Sequence, residues 1–91
     1  GRVIAEAMAC GVPPVVASNA GIAQHIRHGE NGFIADTNEE VMDILLTLRE
    51  DRELRARVGV AARRTMEERY GEEQLARIAA YSLRGEAGVP A

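Results

Sequence analysis

The segment Gly1-Arg-Val-Ile-Ala-Glu6-Ala-Met-Ala-Cys-Gly11-Val-Pro-Pro-Val-Val-Ala-Ser18 leaves the chain few ways to begin folding. Residues 2–10 suit a short helix, with Val3, Ala7 and Cys10 sharing one face and Glu6 lying off it. Gly11 supplies the left-handed residue that ends helices. Pro13 and Pro14 then forbid continuation, since neither offers an amide hydrogen and each ring clashes with a preceding helical turn. Val15-Val16-Ala17 follows as an apolar run between turn residues, the pattern of a strand buried in a parallel sheet.

Beyond that point the signals alternate. Ser18 and Asn19 are candidate caps for a helix over residues 22–27. His28-Gly29-Glu30-Asn31-Gly32 reads as a turn, with Gly29, Asn31 and Gly32 supplying positive-φ positions. Phe33-Ile34-Ala35 is a second short strand. Thr37-Asn38-Glu39-Glu40 has the spacing of a capping box. After it, Val41, Ile44, Leu45 and Leu48 recur at helical spacing. A further helix over residues 52–70 places Leu54, Val58, Ala61, Ala62, Thr65, Met66 and Tyr70 on one side, and its Arg/Glu-rich outer face reads as solvated. The last helix, over residues 72–83, aligns Leu75, Ile78, Ala79 and Leu83, and residues 85–91 read as a frayed tail.

Strand, helix and strand in that order imply a right-handed parallel crossover. A sheet of two parallel strands is poor by itself, because parallel sheets are normally wide and covered on both faces. The expected fold is therefore α/β: the closing part of a larger, doubly wound, Rossmann-like domain, with two short parallel strands and a helical C-terminal end.

Composition narrows the function classes. Ninety-one residues allow one domain at most. A net charge of −3 gives no concentrated positive field for nucleic acid. All eleven basic residues are Arg, which we read as the coding bias of a GC-rich bacterium before reading it as function. A single cysteine, Cys10, excludes a disulfide framework and a cysteine-based metal site, and reads as a small buried hydrophobe. His25 and His28 lie three apart and could share a metal, but two ligands without a third read more simply as a surface residue and a helix C-terminal partner. No apolar run approaches the roughly 20 residues that span a bilayer.

Taken in order, Glu6-Ala-Met-Ala-Cys-Gly11-Val-Pro-Pro-Val-Val-Ala-Ser18, Gly21-Ile22 and His28-Gly29-Glu30-Asn31-Gly32-Phe33-Ile34 resemble the C-terminal, donor-binding domain of GT-B glycosyltransferases. The match is to the retaining, GT4-like enzymes called glycosyl transferases group 1. The resemblance covers residues 1 to 84, which would form the distal part of the nucleotide-sugar-binding domain. It implies a parent enzyme that transfers a sugar from a nucleotide diphosphate sugar to an acceptor hydroxyl, with retention at the anomeric carbon. Glu6 matches the second of the family's two site glutamates and is expected to accept hydrogen bonds from the ribose hydroxyls, a role suited to a carboxylate's paired oxygens. Gly1, Arg2 and Val3 match the turn and helix start where backbone amides face the donor diphosphate.

The family's first glutamate, its diphosphate-gripping basic residues and its N-terminal acceptor domain would all lie upstream of Gly1. The chain alone is accordingly expected to be inactive, with the N-terminal domain of the parent as its partner. The resemblance implies no cofactor and no bound metal, the nucleotide sugar being a substrate. It also implies a cytoplasmic location, with peripheral contact at the inner face of the membrane left open. Where the family usually has Gly-Gly and then Pro-Glu after the strand, this chain has Ala20-Gly21-Ile22-Ala23-Gln24. Two other classes remain open at this point: a small helical interaction module that keeps only the family's shape, and a nucleotide-binding subunit without transfer. Ser18 and Asn19 stand either as caps or as part of a donor pocket at a strand end.

Overall fold

Local signals set most of the element boundaries. In the computed structural model, which describes residues 2–83, the order is α1 (Arg2–Ala9), β1 (Val15–Val16), a 3-10 segment (Gly21–His25), β2 (Phe33–Ile34), α2 (Asn38–Glu50), α3 (Arg52–Tyr70) and α4 (Glu72–Leu83). The expected tail over residues 85–91 lies outside the described residues. β1 and β2 pair in parallel, Val15 opposite Phe33 and Val16 opposite Ile34. The ladder runs through Phe33 N–H to Pro14 O at 2.8 Å and Ala35 N–H to Val16 O at 2.9 Å. This is the α/β arrangement expected of a partial Rossmann-like domain.

Thr37 forms the full capping box: its hydroxyl accepts from Glu40 N–H, and the Glu40 carboxylate accepts from Thr37 N–H, both at 3.1 Å. Asp51 joins α2 to α3 within a single residue, its carboxylate accepting from Leu54 N–H at 2.9 Å. Arg55 closes the end of α2 by donating to Leu48 O at 2.7 Å.

Two apolar clusters fill the interior. Ala5, Met8, Ala9, Val16, Ile26, Ala62, Met66 and Leu75 join α1, β1, α3 and α4, while Phe33, Leu48 and Val58 join β2, α2 and α3. The expected inner face of α3 is therefore the one that packs. On α2, Ile44 and Leu48 turn inward, but Leu45 is 48% exposed beside exposed Met42 and Leu46. Contact with α3 fixes the rotation of α2, and a stripe broader than that contact leaves one side in water.

Three further expectations are corrected. Cys10 is exposed, and Val3 is 61% exposed. The packed face of α1 is Ala5, Met8 and Ala9, because α3 and α4 lie on that side. Residues 22–27 do not form an α-helix, and Ser18 and Asn19 do not cap one. A five-residue 3-10 segment follows Ala20, which makes no side-chain cap. So short a segment cannot offset the cost of nucleating an α-helix. Finally, of Gly29, Asn31 and Gly32 only Gly29 has positive φ, at 84°. Gly32 is needed for room: a Cβ there would lie 2.7 Å from Pro14 Cγ.

Ser18 N–H instead donates to Asp36 Oδ1 at 2.8 Å, tying together the ends of the two strands. This backbone bond is the main reason the Asp36 carboxyl is held below its ordinary value of 3.8. Because the folded state binds this proton more weakly than the unfolded state, the bond's stabilisation is complete above 3.8 and is lost as pH falls through the lower folded value. The stability gap between the protein and Asp36→Asn should therefore shrink on acidification from about pH 6 to about pH 3, in urea titrations at each pH. A gap that stays constant would show that the ionised carboxylate is not what matters.

Candidate functional site

Glu6 lies in the second turn of α1, past the first turn where a helix dipole acts most strongly. It is 2% exposed, next to the core residue Ala5. Keeping a carboxylate out of water costs free energy that a surface glutamate would not incur. Val3 stands at the exposed start of the same helix. Arg2 begins α1, and its side chain is not among those described; Gly1 lies outside the described residues.

The C-terminal ends of the parallel strands are where open α/β sheets bind ligands. Here those ends carry Ser18 and Asp36, and β1 leads on to the 3-10 segment. A cavity of about 590 Å³ opens between this segment, Ala5 of α1 and the corner where α3 meets α4. Gly21, Ile22 and Gln24 line one side of it, and Arg69, Tyr70 and Gln74 the other. The Arg69 guanidinium lies 5.4 Å from the centre of the Tyr70 ring.

Asn31 is fully buried, at 0% exposure, and its side-chain oxygen and both amide hydrogens are used. Its oxygen accepts from Arg27 N–H at 2.7 Å; its amide donates to His25 O and to Thr65 Oγ1, each at 2.9 Å. Arg69 also donates to His25 Nε2. An arginine cannot accept, so that ring nitrogen carries the lone pair. His28 is engaged elsewhere, its Nδ1 accepting from Ile34 N–H at 2.9 Å and its ring meeting Phe33 edge-on. The two histidines thus bond to different elements. Among the described residues no group of three or more His, Cys, Asp or Glu is placed to hold a metal ion. Nor is any described helix long and apolar enough to cross a membrane.

Sequence reasoning singled out Glu6 but missed Thr65 and Arg69 as anchors and gave Asn31 only a turn role. No local signal could have found these contacts, because Thr65 lies 34 residues from Asn31 and Arg69 lies 44 from His25.

Comparison with known proteins agrees with this architecture. The model of the family described as glycosyl transferases group 1 matches residues 1–65. The chain is 35% identical over 77 residues to the N-acetyl-alpha-D-glucosaminyl L-malate synthase of Bacillus anthracis, a match spanning 82% of this chain and 20% of that protein. It resembles the crystal structure of Anabaena Alr3699/HepE in complex with UDP, with a TM-score of 0.73, and the complex with UDP and glucose, with 0.72. Identity is 32% in both, over 93% of this chain and 24% of the other. The chain thus spans about a fifth to a quarter of the length of these relatives. With the family model matched over residues 1–65 and the fold shared with GT-B neighbours, the chain belongs to the glycosyl transferases group 1 family.

Proposed function

We propose that the chain forms the distal part, residues 1–84, of the donor-binding domain of a transferase that moves a sugar from a nucleoside diphosphate sugar to an acceptor hydroxyl with retention at the anomeric carbon. The observation that carries this reading is the placement of Glu6: inside the family-matched region, on α1, and held out of water. A carboxylate there can accept from two adjacent ribose hydroxyls at once, and such bonds strengthen where water is excluded. The amides of Gly1, Arg2 and Val3, which match the family's turn and helix start, would face the diphosphate and offset the charge that develops on it as the sugar leaves. The similarity to Anabaena Alr3699/HepE, described in complex with UDP and with UDP and glucose, supports a nucleotide-sugar donor for this reading.

At 2% exposure the carboxylate is not reached without displacement of what covers it, so nucleotide binding in this reading includes a local rearrangement at Glu6. The chain by itself would not catalyse transfer, because the acceptor cannot be positioned across a cleft from one wall alone.

In the complete transferase, Glu6→Ala should weaken UDP or GDP binding by about 10- to 100-fold, the scale of charge-assisted hydrogen bonds lost, as read by calorimetry. Glu6→Gln should lie between wild type and Glu6→Ala. Unchanged affinity in Glu6→Ala, with the fold intact by circular dichroism, would remove Glu6 from the site. The isolated 91-residue chain should transfer no sugar above a Glu6→Ala control.

A further inference from the structure

The 3-10 segment Gly21–His25 contains no fully buried residue; only Ile22 and Ala23 pack partly against the core. A five-residue segment of this kind is marginal by itself. What fixes it is a set of polar bonds from one side. Asn31, at 0% exposure, holds the His25 carbonyl and is itself held by Thr65 of α3, and Arg69 of α3 holds the His25 ring. The segment, with His25 and Arg69 among the lining residues, also borders the cavity that Ala5 of α1 lines. We infer that Asn31, Thr65 and Arg69 are positioning residues that fasten the 3-10 segment to α3 and so set one wall of the donor site beside α1. This rests on the nucleotide-binding reading above.

The chemistry of the fastening is specific. The Asn31 amide donates both of its hydrogens, one to the segment and one to α3, so it bridges the two elements alongside the Arg69–His25 bond. Thr65 can accept from it while donating to Ala61 O at 3.0 Å, which satisfies the hydroxyl in both directions. Valine has the shape of threonine without the hydroxyl, so Thr65→Val cuts the α3 end of the bridge and leaves the helix packing in place. Arg69→Met keeps the apolar stem and removes the bond to His25.

The test uses the complete transferase, comparing wild type with the Thr65→Val/Arg69→Met double variant and with the conservative Thr65→Ser/Arg69→Lys pair. Backbone amides over residues 20–28 should exchange with deuterium about 10-fold faster in the double variant, while those of α2 and α3 keep their protection. UDP affinity, read by calorimetry, should fall about 5-fold while α2 and α3 stay protected, and the conservative pair should recover most of it. Unchanged exchange over residues 20–28 would show that these bonds do not hold the segment. Faster exchange with unchanged UDP affinity would show that the segment is held but forms no part of the donor site. A loss of affinity matched by loss of protection throughout α2 and α3 would make the effect a folding defect and overturn the inference. Wild type that binds no UDP or GDP would overturn the functional reading itself; wild type that binds, loses affinity in Glu6→Ala and keeps it in the double variant would overturn this inference alone.

Discussion

Gly59→Ala should destabilise the fold by about 3 kcal/mol, the upper part of the range for overpacking a tight interior. Helix propensity alone predicts the opposite sign, because alanine in a helix interior is favoured over glycine by about 1 kcal/mol. The geometry decides between them. A Cβ on Gly59 would lie 2.2 Å from Gly11 O and 3.2 Å from Gly11 C. Both are backbone atoms, so no side-chain rotation relieves the clash. Gly11 is itself fixed at a φ of 79° in the link between α1 and β1.

Relief therefore requires α3 to move away from that link, which would also disturb Arg63, whose guanidinium donates to Ala9 O at 2.7 Å, and loosen Met66 against the α1 cluster. Urea denaturation of the two proteins is the direct check. A Gly59→Ala protein as stable as wild type, or more so, would mean that α3 does not cross Gly11 this closely.

Asn31→Ala should cost about 2 to 3 kcal/mol, again by denaturant titration, through the loss of a fully buried side chain and of its three hydrogen bonds. Its removal leaves Arg27 N–H without its 2.7 Å acceptor and His25 O and Thr65 Oγ1 without their donor. Asn31→Asp separates hydrogen bonding from size. The carboxylate can still accept from Arg27 N–H, but it faces the His25 carbonyl with no hydrogen to donate, so this variant should lose at least as much stability as the alanine. If Asn31→Asp were as stable as wild type, the donated bonds would contribute nothing. Because Asn31 sits where several elements meet, these substitutions affect the whole fold, whereas Thr65→Val and Arg69→Met loosen one wall of it.

How much of the site was legible depended on the range of each interaction. Glu6 could be singled out because its surroundings in sequence match a family pattern, although its helical phase alone gave no reason to expect it to be buried. The contacts of Asn31, by contrast, reach across the chain to α3. Within the turn sequence Asn31 is indistinguishable from any residue chosen for a tight backbone turn, and it proves to have no positive φ. Ser18 shows the same competition: a good local cap, it is engaged through its amide by Asp36, 18 residues away.

What the sequence by itself determined is the order of elements and the places where they start and stop. The capping box at Thr37, the helix stop at Gly11 and the prolines, and the apolar side of α3 all rest on residues close to each other in the chain. Tertiary structure alone decided which way α1 faces, and with it the exposure of Cys10 and the burial of Glu6. The physical reason lies in the packing of α1. Arg2 and Glu6 are spaced to share one polar side, which local contrast would turn to water; packing of α1 against α3 and α4 overrides that preference and leaves Glu6 buried.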